Sequence, residues 1–196
     1  RAMRAIPALI VSAMMNTNPF MLYAGQELGE RGMDDSGFSG VDGRSSIFDY
    51  YQPDTLRRWI NGGKYDFDLM STDEKALRDT YKRVLTLCNS SKALSEGLFY
   101  DLTYANIDNP DFNSERCFAF LRKCDEELIV ANFADTEQHL QIIIPQHAFD
   151  FLHISPQDNT EATDLLTGES MKLVLSPHRA MSVAVEAFCG IVLAIN

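Results

Sequence analysis

The sequence predicts an α+β chain: an α/β segment over residues 1–92, then an antiparallel β-sandwich domain over residues 93–196. The apolar run Phe20–Ala24 lacks alternation, as a strand buried on both faces does. Ser71–Ser90 carries the marks of a capped amphipathic helix. Beyond residue 92 apolar and polar residues alternate in short runs separated by turn residues, the pattern of a sandwich.

Taken in order, residues 2–16 form a helix, because Ile6, Leu9, Ile10, Ala13 and Met14 recur at helical spacing. Pro7 suits a first turn, where its missing N–H costs nothing, so the helix begins near it. Asn16-Thr17-Asn18-Pro19 breaks the chain ahead of Phe20–Ala24. Residues 28–47 are rich in Gly, Asp and Ser and read as a long loop, of a length that is usually functional or disordered, with Phe48, Tyr50, Tyr51 and Trp59 after it. Ser71 and Glu74 make an S-x-x-E capping box, and Leu77, Tyr81, Val84, Leu85 and Cys88 mark one apolar stripe.

Strands follow at Cys117–Arg122, Glu127–Phe133, His139–Ile144, Met171–Leu175 and Ala180–Glu186. Ala134-Asp135, Asp158-Asn159 and Thr167-Gly168 supply turn signals between them. The first segment then poses a problem. It offers one strand that needs neighbours on both sides and no second strand to provide them. Residues 1–92 are therefore expected to be the tail of a larger α/β domain. The alternatives are that Phe20–Ala24 pairs with the β domain or with a second copy of the chain.

Composition narrows the partners. The formal charge of −11 disfavours nucleic acid, which is bound mainly by neutralising phosphates. The longest apolar stretch, Ala5–Met15, is too short to span a membrane and lacks the polar spacer and small-residue cleavage pattern of a signal peptide. The first residue, Arg1, suggests a fragment or a processed product, which leaves the compartment open. Cys88, Cys117, Cys124 and Cys189 form no C-x-x-C pair, and His139, His147, His153 and His178 are scattered. Reduced, mostly buried thiols are expected rather than a zinc site.

"NPFMLYAGQELGERG" (18–32) resembles the segment around barrel strand eight of the α-amylase-type glycoside hydrolases, family thirteen. Pro19, Tyr23, Gly25 and Glu27 match that family's pattern. "ALSEGLFYDL" (93–102), "CFAFLRKCDEELIVANFAD" (117–135) and "DLLTGE" (164–169) resemble its C-terminal β domain. The resemblance implies that residues 1–92 are the last helix-strand-helix part of a (β/α)8 barrel and that 93–196 are the β domain. It also implies a retaining mechanism, with a nucleophilic and an acid carboxylate roughly 5–5.5 Å apart in the parent enzyme. A further carboxylate of the family lies in an Asn-His-Asp triplet. No His here lies in such a triplet, so no catalytic residue is carried over and the chain alone is expected to be inactive.

The same resemblance places Glu27 at the edge of the sugar site, beside Gln26. Arg44 matches an arginine of the loop after strand eight, although the Pro and Trp that often follow it are absent. Tyr50, with Phe48 and Tyr51, stacks on glucose or packs the loop, and Glu27 alternatively binds the backbone of its own loop. No cofactor is expected. Calcium, bound by many amylases, is possible for a parent enzyme, but Asp34, Asp35 and Asp42 lack EF-hand spacing and read as solvated loop charge. The implied substrate is starch-like α-glucan or malto-oligosaccharide. The competing reading is a non-catalytic carbohydrate-binding module using Tyr100, Tyr104 and Phe112. An incomplete barrel would expose apolar surface and self-associate.

Overall fold

The computed structural model describes residues 2–30, 53–124 and 126–195. Its helices are α1 (Ile6–Met14), α2 (Asp54–Ile60), α3 (Thr72–Ser90), α4 (Lys92–Glu96), α5 (Leu102–Ala105) and α6 (Gln146–Leu152). The strands are β1 (Leu98–Asp101), β2 (Cys117–Lys123), β3 (Glu126–Asn132) and β4 (Gln138–Ile142). They continue with β5 (Gln157–Asp164), β6 (Ser170–Leu175), β7 (Met181–Val185) and β8 (Cys189–Ile195). Packing divides the chain into two units, Arg1–Met3 with Phe20–Lys82 and Arg4–Pro19 with Arg83–Asn196.

The second unit is built on a six-stranded antiparallel sheet in the order β1-β2-β3-β8-β5-β6. A two-stranded sheet, β4-β7, closes the sandwich. Alternation does its expected work in β7, where Met181, Val183 and Val185 are buried and Ser182 and Ala184 exposed. Leu121, Leu128, Val130, Leu140, Ile142, Leu173 and Leu193 join the same core. Burial of such side chains stabilises by roughly 1.5–3 kcal/mol each.

The central strands do not alternate, because helices cover the face opposite the sandwich core. α1 packs on β3 and β8, and α4 on β2. Ile129 and Val192 are accordingly as buried as Leu128 and Leu193. Gly190 lets α1 come close: a Cβ there would sit 2.6 Å from Ile10 Cδ1 and 2.9 Å from the Val130 carbonyl oxygen. α1 begins one residue before Pro7 and buries Ile6, Leu9, Ile10, Ala13 and Met14.

Arg122 secures that face. Its side chain is only 2% exposed. It donates to the carbonyls of Met15 (3.0 Å), Ala93 (3.1 Å) and Leu94 (3.1 Å). Burial pulls the guanidinium below its ordinary pKa, and the nearby Glu127 charge opposes that. Glu127 accepts from the Ser91 hydroxyl, whose oxygen also caps α4 at Leu94 N–H. Asn132 plays a similar part at the end of β3. Its amide donates to the Thr136, Val185 and Glu186 carbonyls and its oxygen accepts from Ala134 N–H.

Several sequence expectations are realised locally. α3 carries the capping box: Ser71 N–H donates to Glu74 Oε2 at 2.8 Å and Glu74 N–H to Ser71 Oγ at 3.3 Å. Leu77, Tyr81 and Val84 on its stripe are buried. The Thr167-Gly168 turn joins β5 to β6, with Gly168 at φ 82° and Asp164 accepting from Leu166 N–H and the Thr167 hydroxyl. All four cysteines are free, with Cys117 buried and Cys124 exposed.

Others are corrected. Phe20–Ala24 forms no strand: it pairs with no described strand, and Met21 is 81% exposed. Its composition asks for neighbours on both sides, and no described strand offers it an edge. The Asp158-Asn159 turn signal lies inside β5, where it coincides with a register shift between Gln157 and Thr160. Phe112 is 3% exposed and packs in the core, so it presents no stacking face.

No described helix is long and apolar enough to cross a membrane. Among the described residues no group of three or more His, Cys, Asp or Glu side chains could hold a metal ion.

Candidate functional site

The first unit holds the turn that follows Phe20–Ala24. Gln26–Leu28 forms one turn of 3-10 helix between two left-handed glycines, Gly25 at φ 85° and Gly29 at φ 69°. Gly25 is required twice over. A side chain there would be strained by the positive φ, and its Cβ would lie 2.9 Å from Glu30 Cβ. The Gly25 carbonyl accepts from both Leu28 and Glu30 N–H at 3.0 Å, so the chain doubles back on itself. Buried Leu28 pins the turn from below.

Gln26 is the connector. Its side-chain oxygen accepts from Tyr23 N–H at 3.3 Å, and its Nε2 donates to Tyr81 Oη at 3.0 Å. The turn is thereby tied to α3. Burial raises the Tyr81 phenol pKa, the Gln26 hydrogen bond opposes the rise, and the Glu27 charge adds to it. Glu27 is half-buried, and its Oε2 is shut away from solvent without a hydrogen-bond partner among the described residues. A buried, unsatisfied carboxylate oxygen is costly unless a donor reaches it. Glu30 accepts from the Thr55 hydroxyl through Oε2, while its Oε1 is buried and unpartnered among the described residues.

An aromatic cluster stands in the same unit. Arg78 lies 4.9 Å from the Phe67 ring centroid and 5.8 Å from that of Trp59. Trp59 also meets Tyr65 edge-on at 5.4 Å. The backbone between is unusual: Asn61, Gly62, Gly63, Tyr65 and Phe67 all have positive φ. For bulky Tyr65 and Phe67 this is a strained conformation. A cleft of about 310 Å³ opens beside it, lined by Phe67, Met70, Lys75, Arg78, Asp79 and Lys82. Arg58 binds Glu74 through Nε at 3.1 Å. Burial pushes the Glu74 carboxyl up, but its bonds from Arg58 and Ser71 outweigh that and hold it below the usual range.

Of the predicted sugar-site residues, Gln26 and Glu27 share this turn. Arg44 and Tyr50 lie outside the described residues, as do Phe48, Tyr51, Asp34, Asp35 and Asp42. Tyr81 was legible only as a member of the apolar stripe, although a tyrosine there has a hydroxyl that needs a partner. In the second unit Tyr104 is 78% exposed, while Tyr100 is half-buried against His147.

No family model matches the sequence, and neither does any curated protein. Solved structures do match by shape. AmyP (E221Q) in complex with maltotriose aligns with a TM-score of 0.62 at 14% identity, over 99% of this chain and 35% of that one. The α-amylase from Geobacillus thermoleovorans, complexed with acarbose, gives 0.57 at 14%, over 100% of this chain and 34% of that one. Ttha1563 from Thermus thermophilus gives 0.55 at 19%, over 100% and 31%. The fold is that of the C-terminal portion of an α-amylase. The chain spans about a third of the length of the α-amylase-type structures it matches. This α-amylase-type fold unites the helix-rich first segment and the sandwich, which composition alone would leave as separate observations.

Proposed function

We propose that the chain is the C-terminal portion of an α-glucan-active glycoside hydrolase. Residues 1–92 complete a (β/α)8 barrel and 93–196 form its β domain. The parent enzyme hydrolyses or transfers α-glucosidic bonds with retention, through carboxylates on barrel segments other than these. The observation that supports this reading is the match of nearly the whole chain to about a third of each α-amylase structure. AmyP is seen in complex with maltotriose and with maltose, and the Geobacillus α-amylase with acarbose, the chemistry expected of the parent's substrate.

In this reading Phe20–Ala24 pairs as the last barrel strand in the parent enzyme, whereas in this chain no described strand flanks it. The Gly25–Glu30 turn is the rim at its C-terminal end, where barrel enzymes place their sites. Glu27 offers its Oε2, without a partner among the described residues, to a sugar hydroxyl or to a donor from the rim. Gln26 positions it by holding the turn to Tyr81.

Two measurements test the reading. The purified chain is expected to release no reducing sugar from starch or maltotriose; turnover by this chain alone overturns it. In a protein carrying the complete barrel, Glu27→Ala is expected to lower kcat/KM for maltotriose about tenfold, the worth of ~1.4 kcal/mol. An unchanged value removes Glu27 from the sugar site. The exposed Met21, Leu22 and Tyr23 lead us to expect concentration-dependent self-association of the chain, measured by sedimentation velocity.

A further inference from the structure

The β domain has an open cleft of about 600 Å³, lined by Tyr100, His147, Asp150 and Phe151. We infer that it is a second saccharide site, separate in sequence from the Glu27 turn and selective for curved, neutral α-linked glucan. The choice of glucan as ligand rests on the proposed function above.

The construction of the cleft argues for a ligand. α6 is anchored by its opposite side: Ala148, Phe149 and Leu152 are buried in the sandwich core. With the helix fixed, His147, Asp150 and Phe151 are held on the outer face at i, i+3 and i+4. Phe151 is 53% exposed, and a large aromatic left so open on an anchored helix contributes little to folding. β1 supplies Tyr100 from the sheet edge. Its hydroxyl is 2.6 Å from His147 Nδ1, and its ring meets the imidazole edge-on at 5.1 Å. These contacts lock the tyrosine ring in place before any ligand arrives.

The lining is mainly apolar with a few polar groups, as small-molecule sites are. Pyranose rings have apolar C–H faces that pack on aromatics and equatorial hydroxyls that bond polar groups at the edge. Asp150 takes one hydrogen bond from Gln146 through Oδ1, at 2.9 Å, which leaves Oδ2 to accept from a sugar hydroxyl. Asp150 is the one acidic side chain among the described lining residues, and the whole chain carries −11, so an acidic polysaccharide is repelled.

Ring geometry chooses the linkage. The Tyr100 and Phe151 rings are 6.4 Å apart and tilted by 46° to one another. A flat β-1,4-linked ribbon needs nearly coplanar platforms. An α-1,4-linked chain turns at each glycosidic bond and offers successive sugar faces at an angle, as this pair requires.

The test is a titration of the isotopically labelled full chain with maltotriose up to about 20 mM, followed by amide NMR. Shifts are expected at residues 98–101 and 146–152, with cellotriose bound at least about fivefold more weakly. Phe151→Ala is expected to weaken maltotriose about tenfold or more while leaving the spectrum elsewhere unchanged. Tyr100→Phe, which keeps the ring, retains most of the affinity, and Glu27→Gln leaves the cleft shifts unaltered. Absence of shifts at these residues, equal affinity for cellotriose, or an unaffected Phe151→Ala variant each overturns the inference. A barrel-completed protein that hydrolyses starch while these amides stay silent refutes the cleft and leaves the proposed function standing. Cleft shifts in a completed protein that has no glucan hydrolysis do the reverse.

Discussion

Phe20–Ala24 and β3 are both short apolar runs without alternation, and they end in opposite states. In β3, Leu128, Ile129, Val130 and Ala131 are fully buried, with β2 on one edge, β8 on the other, the sandwich core beneath and α1 above. In Phe20–Ala24, Met21 is 81% exposed and no described strand pairs with it. Continuous apolarity is thus a demand for neighbours and not evidence that they are present. A run of this kind becomes a strand only when two edges and two faces are supplied.

The comparison can be broken most severely at Arg122, which holds the covered side of the sheet together. Arg122→Met leaves the Met15, Ala93 and Leu94 carbonyls without their donor. A loss of about 3 kcal/mol or more is expected in urea unfolding, in line with breaking buried charged networks. A loss below about 1 kcal/mol would mean that the face is held by apolar packing alone.

A smaller effect is expected at Glu74, which serves both the α3 cap and Arg58. Glu74→Ala should cost about 1–2 kcal/mol. Its folded pKa lies below the ordinary value of 4.5, so its contribution is present above that pH. The contribution is lost as pH falls from 4.5 through the depressed folded value. Stability curves of wild type and Glu74→Ala should therefore converge in acid; parallel curves would contradict the assignment.

Tyr81→Phe removes the hydroxyl that accepts from Gln26 and should cost about 1 kcal/mol. Faster amide exchange confined to residues 23–30 would mark the loosened turn. The smallest effect is expected at Met21→Ser, within about 0.5 kcal/mol, because that side chain gains nothing from burial here. The same change should reduce self-association. A large loss of stability at Met21 would show that the run already has partners.

These contrasts also explain what was legible in the sequence. β6, β7 and the α3 cap were readable because each is governed by a local rule: alternation with one covered face, or a capping box. β5 was hidden because Thr160, Ala162 and Asp164 occupy its inward positions instead of large apolar residues. Asp164 is buried there as a hydrogen-bonding hub, accepting from Val192, Leu166 and Thr167. β8 was hidden for the opposite reason: covered on both faces, its run "CGIVLAI" shows no period. Of the candidate site, Gln26 and Glu27 were legible through their place in a motif. The Tyr100–His147 pair was not, since the two residues meet only through the packing of α6 beside β1.

The close approach of α1 to Gly190 also sets an order of events in the cell. The apolar stripe around Ile10 leaves the ribosome well before the strand that receives it. Across roughly 180 residues at ~5–20 residues per second, that stripe waits about 10–40 s for its partner. During that interval the apolar side of α1 lacks the strands β3 and β8 on which it packs, the kind of exposed surface that chaperones hold. A substitution that slows closure of β8 onto β3 would lengthen that exposure and show as aggregation during expression, even where the finished protein is equally stable.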